Sequence, residues 1–370
     1  MKPGLAGKQV VVIDPLIDGV SGVQSHATQF IESRIVELVR TQYPQFDIQP
    51  FAASSIAQAP LVLIGTLTGV NQQGHVTIPR EVYRLWLTLA DVQSGKIVAK
   101  ARAHATPEGV DIRPTAYFQD SPVLTTDPVV DGYIKTCQGS KVGEPMDPVY
   151  VKHLPAAAVL SDAIKAYNSQ QYRKALDLYK SVLRTPAGEQ LRAYNGLYLT
   201  HWKLGHRDEA AQAFGRMIAY GLAREHLAVK FLFKPGSTAF WSDAQLKEAY
   251  PVWLQQIAQR TSQHNACLEI VGHTTRTGPV PYNDRLSLRR AQYIKQQLEA
   301  EAPPLRNRTR ARGQGSRENL IGTATDDMRD ALDRRVEFKV IGCFNGAVTK
   351  AGREAKGERD GEGAALSSMQ

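Results

Sequence analysis

The segment GHTTRTGPVPYNDRLSLRRA at residues 272–291 holds the side chains best suited to binding an anion. Arg290 lies near its end, and a planar guanidinium offers two parallel N–H donors that match the two oxygens of a carboxylate. Backbone amides at the start of a helix add further donors. The segment therefore predicts an anion site. The residue types alone leave one alternative open, a solvated basic face formed by Arg285, Arg289, Arg290, Arg334 and Arg335.

Catalytic chemistry has little support in the sequence. The chain has no GxSxG, HExxH, GxxxxGK[ST] or strand-linked GxGxxG motif, which excludes the local signatures of the common hydrolases, P-loop proteins and Rossmann enzymes. His273 is the one candidate, and at the end of a strand we interpret it as a structural hydrogen-bonding residue. Cys137, Cys267 and Cys343 lack metal-ligand spacing. We expect a non-catalytic protein with no cofactor and no metal site.

Composition and charge restrict the partners. The chain has 370 residues, 42% hydrophobic and 22% charged, which is typical of a globular protein of two or three domains. A net charge of +9 attracts nucleic acid, acidic lipid and anionic cell-wall polymer alike. Because the basic residues lack interleaved aromatics and a helix-turn-helix pattern, we expect no nucleic acid. No run of 18 apolar residues is present, and residues 1–8 lack the apolar core of a signal peptide.

The N-terminal part predicts a small α+β domain over residues 1–106. QVVVID, beginning at Gln9, is typical of a buried strand, and PLVLIGTLTGV, beginning at Pro60, of a second. Residues 83–89 alternate between apolar and other side chains, and Ser94-Gly95 predicts a hairpin turn. Residues 107–154 are rich in proline and polar side chains, and we interpret them as a linker or irregular segment.

An internal repeat follows over residues 155–222. QQYRKALDLYKSVL from Gln170 and GHRDEAAQAFGRMI from Gly205 align with the same order of small, aromatic and aliphatic residues. The matched pairs are Ala175 with Ala210, Tyr179 with Phe214, and Leu183 with Ile218. This pattern resembles the tetratricopeptide repeat, whose period is about 34 residues. Two repeats are too few to stand alone, so we expect them to pack on a flanking domain. A partner-binding groove and a helical spacer remain equal alternatives.

The third segment, residues 228–343, predicts the element order β-α-β-α-β-β. Phe231 and Phe233 begin it as a strand before the Pro235-Gly236 break, and CLEIVGHT forms the next strand. The final strand is RVEFKVIG, whose apolar residues alternate with Glu337 and Lys339. The overall fold class is therefore α+β. Residues 344–370 alternate in charge and carry few large apolar residues, which predicts a disordered tail.

Five blocks of this third segment resemble the OmpA-like C-terminal domain. They are FLFKPGSTAF, LEIVGHT, TG followed by YNDRLSLRRA, GQGS and DRRVEF, in the order and spacing of that family. The resemblance implies a Gram-negative envelope protein that binds peptidoglycan. It also implies a pocket in which an aspartate after Gly-His-Thr meets the ammonium of diaminopimelate, and the arginine of LSxxRA meets a carboxylate.

The residues that the resemblance places in the peptidoglycan site are Thr275, Asn283, Arg290, Arg334 and Arg335. Thr275 stands where the family has its aspartate, and a hydroxyl cannot form the ion pair with an ammonium. Four outcomes follow: weak binding, binding of an amidated or altered peptide, substitution by Asp284, or loss of the ligand with retention of the fold. We expect Arg290→Ala to abolish wall binding and leave the fold intact.

The positions of two cysteines predict a disulfide. Cys267 opens the second strand of the third segment and Cys343 ends the last, so antiparallel neighbouring strands would bring their thiols together. Two separate buried thiols are the alternative. Such a bond forms in an oxidising compartment.

Together these patterns predict a non-enzymatic protein of the periplasm or outer membrane, whose export signal is absent from the given chain. Its expected partners are peptidoglycan and envelope proteins, with the membrane reached only by association or by a lipid anchor outside this chain. The first domain resembles, more weakly, TolB and lipoprotein activators such as LpoB. The alternative is a protein-interaction scaffold whose OmpA-like domain has lost diaminopimelate binding.

Overall fold

The computed structural model describes residues 8–76, 81–123, 126–185, 187–225, 227–241, 244–320 and 332–343. The chain divides into two compact units. The first comprises the described residues up to Tyr220 together with Ala228–Lys230, and the second comprises Gly221–Leu227 and the described residues from Phe231 onward. The predicted disordered tail, 344–370, lies outside the described residues.

A five-stranded mixed sheet forms the centre of the first unit, in the order β2-β1-β3-β4-β5. Its strands are β1 (Gln9–Ile13), β2 (Phe46–Gln49), β3 (Leu61–Val70), β4 (Val82–Asp91) and β5 (Lys96–Ala105). β1 lies parallel to β2 and β3, while β3, β4 and β5 are antiparallel. The β-branched run of β1 and the long apolar run of β3 are buried, as their sequences predict.

Helices connect the first three strands and pack on the sheet. α1 (His26–Gln42) begins at a capping box formed by Ser25 and Thr28, and α2 (Ala53–Gln58) leads into β3. The predicted hairpin turn joins β4 to β5, where Gly95 has φ +67°. Glycine adopts this left-handed conformation without steric cost, which explains its place in the turn.

The segment 107–154 is helical in large part, so its interpretation as a linker or irregular segment is wrong. It contains α3 (Ala116–Asp120), α4 (Pro128–Ile134), a π-helical turn (Lys135–Gly139) and the start of α5 (Pro148–Asn168). The prolines that suggested a loop occupy the first turns of α4 and α5, where a missing N–H costs no hydrogen bond. Asp127 and Asp147 cap these helices by accepting hydrogen bonds from backbone amides.

The predicted repeats form helices at the expected places. α5 and α6 (Tyr172–Leu183) are followed by α7 (Leu191–Lys203) and α8 (Arg207–Ala223). Five of the six matched residues are buried, and Leu183 is half-buried. Gly196 of α7 lies so close to the Tyr179 ring that a methyl group there would come within 2.2 Å of it. The helices are thus present, and their kinship to tetratricopeptide repeats stays a prediction.

The second unit contains α9 (Ala244–Gln263), β6 (Cys267–Gly272), α10 (Val280–Glu301), a 3-10 helix (Pro303–Asn307), β7 (Thr309–Gly313) and β8 (Val336–Ile341). Its described strands form a three-stranded sheet in the order β7-β6-β8, with β6 parallel to β7 and antiparallel to β8. Both units combine helix and strand, and the α+β class is confirmed.

The first predicted strand of this unit, around Phe231 and Phe233, is wrong as a strand of the sheet. Leu227 and Phe233 make only isolated bridges, with Phe338 and Phe240 respectively. Pro235 ends the extended segment because it has no N–H to donate. The two phenylalanines instead anchor an aromatic core that contains Phe231, Phe233, Phe240, Tyr250, Trp253 and Phe338.

α10 lies directly on the sheet because two glycines leave room for it. A methyl group on Gly272 would lie 1.9 Å from the Ser287 carbonyl oxygen, and one on Gly313 would lie 2.7 Å from the Leu288 nitrogen. The glycines of GHT and GQG thus set the close packing of helix and strand. This contact fixes the start of α10 beside the loop that follows β6.

The predicted disulfide is confirmed. Cys267 and Cys343 are bonded, with their Cα atoms 5.2 Å apart. The antiparallel pairing of β6 with β8 brings the two ends together, as the sequence argument requires. Cys137 is a buried free thiol in the first unit.

Candidate functional site

A cavity of about 350 Å³ lies in the second unit, between the loop after β6 and the first turns of α10. It contains four of the five predicted site residues and leaves out Arg335. The lining residues are Gly236, Thr274, Thr275, Thr277, Gly278, Pro279, Tyr282, Asn283, Leu286, Arg290 and Arg334. Its size is within the range of small-molecule sites.

Arg290 is a fully buried arginine, with 0% of its surface exposed. Its guanidinium donates to three backbone carbonyls: Nε to Ser237 at 3.0 Å, Nη1 to His273 at 2.9 Å and Nη2 to Lys234 at 3.0 Å. The charge also lies 5.2 Å from the centre of the Phe233 ring. Arg290 therefore ties the turn after Phe233 to the end of β6 and α10, while presenting a positive charge to the cavity.

Asn283 shapes the loop rather than capping the helix. Its Nδ2 donates to the carbonyls of Thr277 at 3.2 Å and Gly278 at 3.3 Å. Pro279 occupies the cap position of α10, and no side chain bonds there. Asn283 and Thr275 are both buried, and both line the cavity. The loop is thus fixed by internal bonds, with the Thr275 hydroxyl in the lining.

The two arginines that precede β8 have different roles. Arg334 lines the cavity, donates from Nε to the Phe233 carbonyl at 3.1 Å, and lies over the Trp241 ring. Arg335 lies outside the cavity lining, and its Nε donates to Glu337 Oε1 at 2.5 Å. Its position assigns Arg335 to the packing of β8.

The side chains of the buried His273 and the half-buried Glu337 are neighbours in the second unit. Burial by itself raises the pKa of Glu337, but the nearby His273 and the charge of Arg335 outweigh it and lower that pKa to about 2. Burial lowers the pKa of His273, whose ring is only 1% exposed. The His273 Nε2 and the Glu337 Oε2 are 3.7 Å apart, beyond a direct hydrogen bond. Both ring nitrogens of His273 are buried without a hydrogen-bond partner among the described residues, so its interpretation as a hydrogen-bonding residue is wrong for the side chain; only its backbone bonds, to Arg335 and Arg290.

No carboxylate is among the described residues that line the cavity. Asp284, one possible substitute for the family's aspartate, lies outside the lining, and its two oxygens accept from Arg317 at 2.6 and 2.8 Å. Arg276 is exposed and also outside the lining. The cavity therefore presents two guanidinium groups and several hydroxyls. This arrangement suits a carboxylate better than an ammonium.

Sequence reasoning missed several contributors. Tyr282 and Thr277 line the cavity, and both follow from the loop's path rather than from residue type. The carbonyls of Lys234 and Ser237 that hold Arg290 were also missed, because backbone acceptors carry no sequence signal. The PG pair at Pro235-Gly236 was the available clue, since it marks the turn that carries both carbonyls.

Comparison with known proteins agrees with the arrangement of these blocks. The profile of the OmpA family matches residues 232–332. This chain contains an OmpA domain. Outer membrane protein Omp38 from two strains of Acinetobacter baumannii is 33% identical over 113 residues, which is 30% of this chain and 31% of the relative. The chain thus spans less than a third of the length of these curated relatives.

Two of the solved structures to which part of this chain is similar are described by the following matches. The peptidoglycan-associated lipoprotein from Burkholderia pseudomallei is 22% identical, and the match covers 30% of this chain and 89% of that one at a TM-score of 0.27. The cell wall anchor of the T6SS from Pseudomonas aeruginosa is 21% identical, with 35% and 96% covered at a TM-score of 0.26.

None of the helices within the described residues has the length and apolarity needed to cross a bilayer. The longest of these, α10, carries four charged residues in its segment DRLSLRRA alone.

Proposed function

We propose that this chain is a non-catalytic protein of the cell envelope whose OmpA domain binds the stem peptide of peptidoglycan. The observation that carries the proposal is the cavity in which Thr275, Asn283, Arg290 and Arg334 come together. The first unit then presents surfaces to other envelope proteins. The proposed location is the periplasm or the inner side of the outer membrane, where the Cys267–Cys343 disulfide can form.

The lining supports recognition of a carboxylate more than of an ammonium. Arg290 and Arg334 bring two positive charges to the lining, and Thr275 supplies a hydroxyl where the family has a carboxylate. A carboxylate gains charge-assisted hydrogen bonds from guanidinium groups, whereas an ammonium gains only a neutral acceptor from threonine. The bound group is therefore a carboxylate of the stem peptide, with the ammonium of diaminopimelate directed to solvent.

Chemically modified peptides test this preference. Soluble muropeptides are titrated into the full chain by calorimetry in three forms: unmodified, amidated at the diaminopimelate carboxylate, and acetylated at its ammonium. We expect amidation to weaken binding about tenfold or more, which is the loss of one charge-assisted pair. Acetylation should change affinity by less than about twofold, because no ion pair is removed.

Thr275→Asp provides the complementary test. The new carboxylate should restore sensitivity to acetylation, and Thr275→Val, which has nearly the same shape, serves as the uncharged control. If acetylation weakens binding to the unaltered protein as strongly as amidation does, the assignment of the carboxylate is wrong. If none of the three peptides binds, stem-peptide recognition is wrong for this chain.

The second candidate function is an interaction scaffold whose OmpA domain no longer binds diaminopimelate. Thr275 in the lining is the observation that favours it, since the ion pair with an ammonium is missing. In that case no muropeptide binds the unaltered protein and Thr275→Asp creates affinity. The repeat helices of the first unit would then carry the function.

A further inference from the structure

A second cavity, of about 340 Å³, lies entirely within the first unit at the carboxyl end of β1. Asp14 follows β1 directly, and the lining continues along α1, α4 and α5. In the sheet order β2-β1-β3, the chain passes from β1 to β2 on one side. It then forms β3 on the opposite side of β1. Ligand sites of α/β sheets lie outside the carboxyl ends of strands at such a reversal.

The polar wall of this cavity is rich in acceptors. Asp14 is 8% exposed, and its Oδ2 accepts a hydrogen bond from Tyr150 at 2.7 Å. The Oε2 atom of Glu32 is buried and meets no donor among the described residues. Ser161, 7% exposed, also has a hydroxyl with no partner in the described part of the chain. The lining thus holds two buried oxygens that have no hydrogen-bond partner among the described residues.

The basic residues of the lining have other partners. Arg192 donates from Nη2 to the Gly22 carbonyl at 2.5 Å, and its guanidinium lies 5.4 Å from the centre of the Phe118 ring. Lys165 is 52% exposed, and its ammonium lies 3.8 Å from Asp162. Neither arrangement fills the donor position beside Glu32 and Ser161.

The apolar part of the lining, which lies among the polar residues Gln24, Gln29, Ser33 and Gln190, fits a compact hydrocarbon body. Ile17, Val129, Val130, Leu160 and Ile164 supply aliphatic surface, and all five are buried. We infer that this cavity binds a small organic cation, a primary ammonium on an apolar body, with its N–H groups donating to Glu32, Asp14 and Ser161. An ammonium supplies three donors and the positive charge that two neighbouring carboxyl groups favour.

Affinity for such a cation should rise with pH. Burial raises the pKa of Asp14 to about 7, against the opposing effects of the Tyr150 hydrogen bond and of Arg192 and Lys165, while Glu32 adds to the rise. Burial also raises the pKa of Glu32, with Lys165 opposing it. Tyr133 of α4 is the remaining titratable group at this wall, and burial raises its pKa too. Below pH about 7 Asp14 is protonated and neutral, so the ammonium loses one partner.

Three probes of matched shape test the inference on the full chain by calorimetry. They are phenethylammonium, neutral 2-phenylethanol and anionic 3-phenylpropanoate. We expect phenethylammonium to bind about tenfold or more tightly than the alcohol at pH 8, with the difference shrinking at pH 6. Equal binding of ammonium and alcohol would reduce the site to an apolar cavity and overturn the inference. Tighter binding of the propanoate, or no binding of any probe, would overturn it as well.

Variants locate the binding. Glu32→Gln keeps the side-chain shape and removes the charge, and it should weaken phenethylammonium about tenfold with little change for the alcohol. Glu37→Gln is the matched control, because Glu37 lies on the same helix, is exposed and pairs with Arg34. If the two variants behave alike, the cation binds elsewhere. Ser161→Ala should give a smaller loss than Glu32→Gln, since only a neutral acceptor is removed.

Discussion

Replacement of Arg290 by alanine should destabilise the OmpA domain as well as remove a charge from its cavity. The side chain is fully buried and donates to three carbonyls. A buried carbonyl that loses its donor costs about 1–3 kcal/mol. His273 is 1% exposed, so its carbonyl bears the full cost, while the turn at Lys234 and Ser237 is more exposed and water can replace part of the guanidinium. The total is about 3–5 kcal/mol, similar to the loss of one partner of a buried ion pair.

Hydrogen exchange of the β6 amides in increasing urea measures this loss within the domain itself. β6 bonds to β7 and β8, so its amides exchange only when the sheet opens. Arg290→Lys should recover less than half of the loss, because one ammonium cannot reach three carbonyls in the fork geometry. Arg289→Ala is the control, since Arg289 is the exposed neighbour in sequence and should change stability by no more than about 0.5 kcal/mol.

A fully stable Arg290→Ala domain would refute this reasoning and restore the sequence-based expectation that the variant leaves the fold intact. The structure instead gives Arg290 a double role. Loss of wall binding in Arg290→Ala therefore cannot be assigned to the cavity alone, and the charge test is better made at Thr275.

Three further predictions follow from the same unit. Reduction of the Cys267–Cys343 bond, which closes a loop of 76 residues, should lower the free energy of unfolding by about 4 kcal/mol. Urea titration with and without reductant measures this loss, and an unchanged unfolding midpoint would contradict the prediction. The pKa of Glu337 is about 2 in the folded protein, below its ordinary 4.5, so its contribution is present above pH 4.5 and is lost as the pH falls toward 2. The contribution of Glu337 to the free energy of unfolding is about 3 kcal/mol. Glu337→Gln should therefore be less stable than the unaltered protein at pH 6 and should lose less stability than it does between pH 5 and 2.5. Parallel acid unfolding curves for the two proteins would disprove the assignment. Gly272→Ala should destabilise by about 1–3 kcal/mol or more because the added methyl meets the Ser287 carbonyl, whereas Gly342→Ala, with no neighbour within 4 Å, should be close to neutral in thermal unfolding.

Much of the framework follows from local patterns. The β-branched run of β1, the alternation in β4 and the turn at Gly95 predict their strands because a pleated sheet buries every second residue. The disulfide followed from the ends of two strands, which the antiparallel pairing brings together. The order of the five sequence blocks predicted the position of the OmpA domain, because each block forms one turn or one packing contact of that domain.

The failures have physical causes too. Proline marks a loop and a helix start equally well, and Pro128 and Pro148 belong to helix starts that the aspartates before them cap. The extended segment at Phe233 has the alternation of a strand, but its pairing depends on neighbours far along the chain. Arg334 and Arg335 are adjacent in sequence and both precede β8, yet only Arg334 lines the cavity, while Arg335 bonds to Glu337.

Co-sedimentation with purified peptidoglycan sacculi over a range of salt concentrations tests the central claim most directly. Thr277→Trp places a large ring in the lining, while Val280→Trp places the same ring outside it, on the exposed first residue of α10. The account predicts that the unaltered protein and Val280→Trp stay bound at 0.5 M salt, where the screening length is only about 4 Å, and that Thr277→Trp is released. Equal binding of all three proteins that salt removes would contradict it, because adsorption of a chain of net charge +9 to anionic wall polymer would then explain the binding without the cavity.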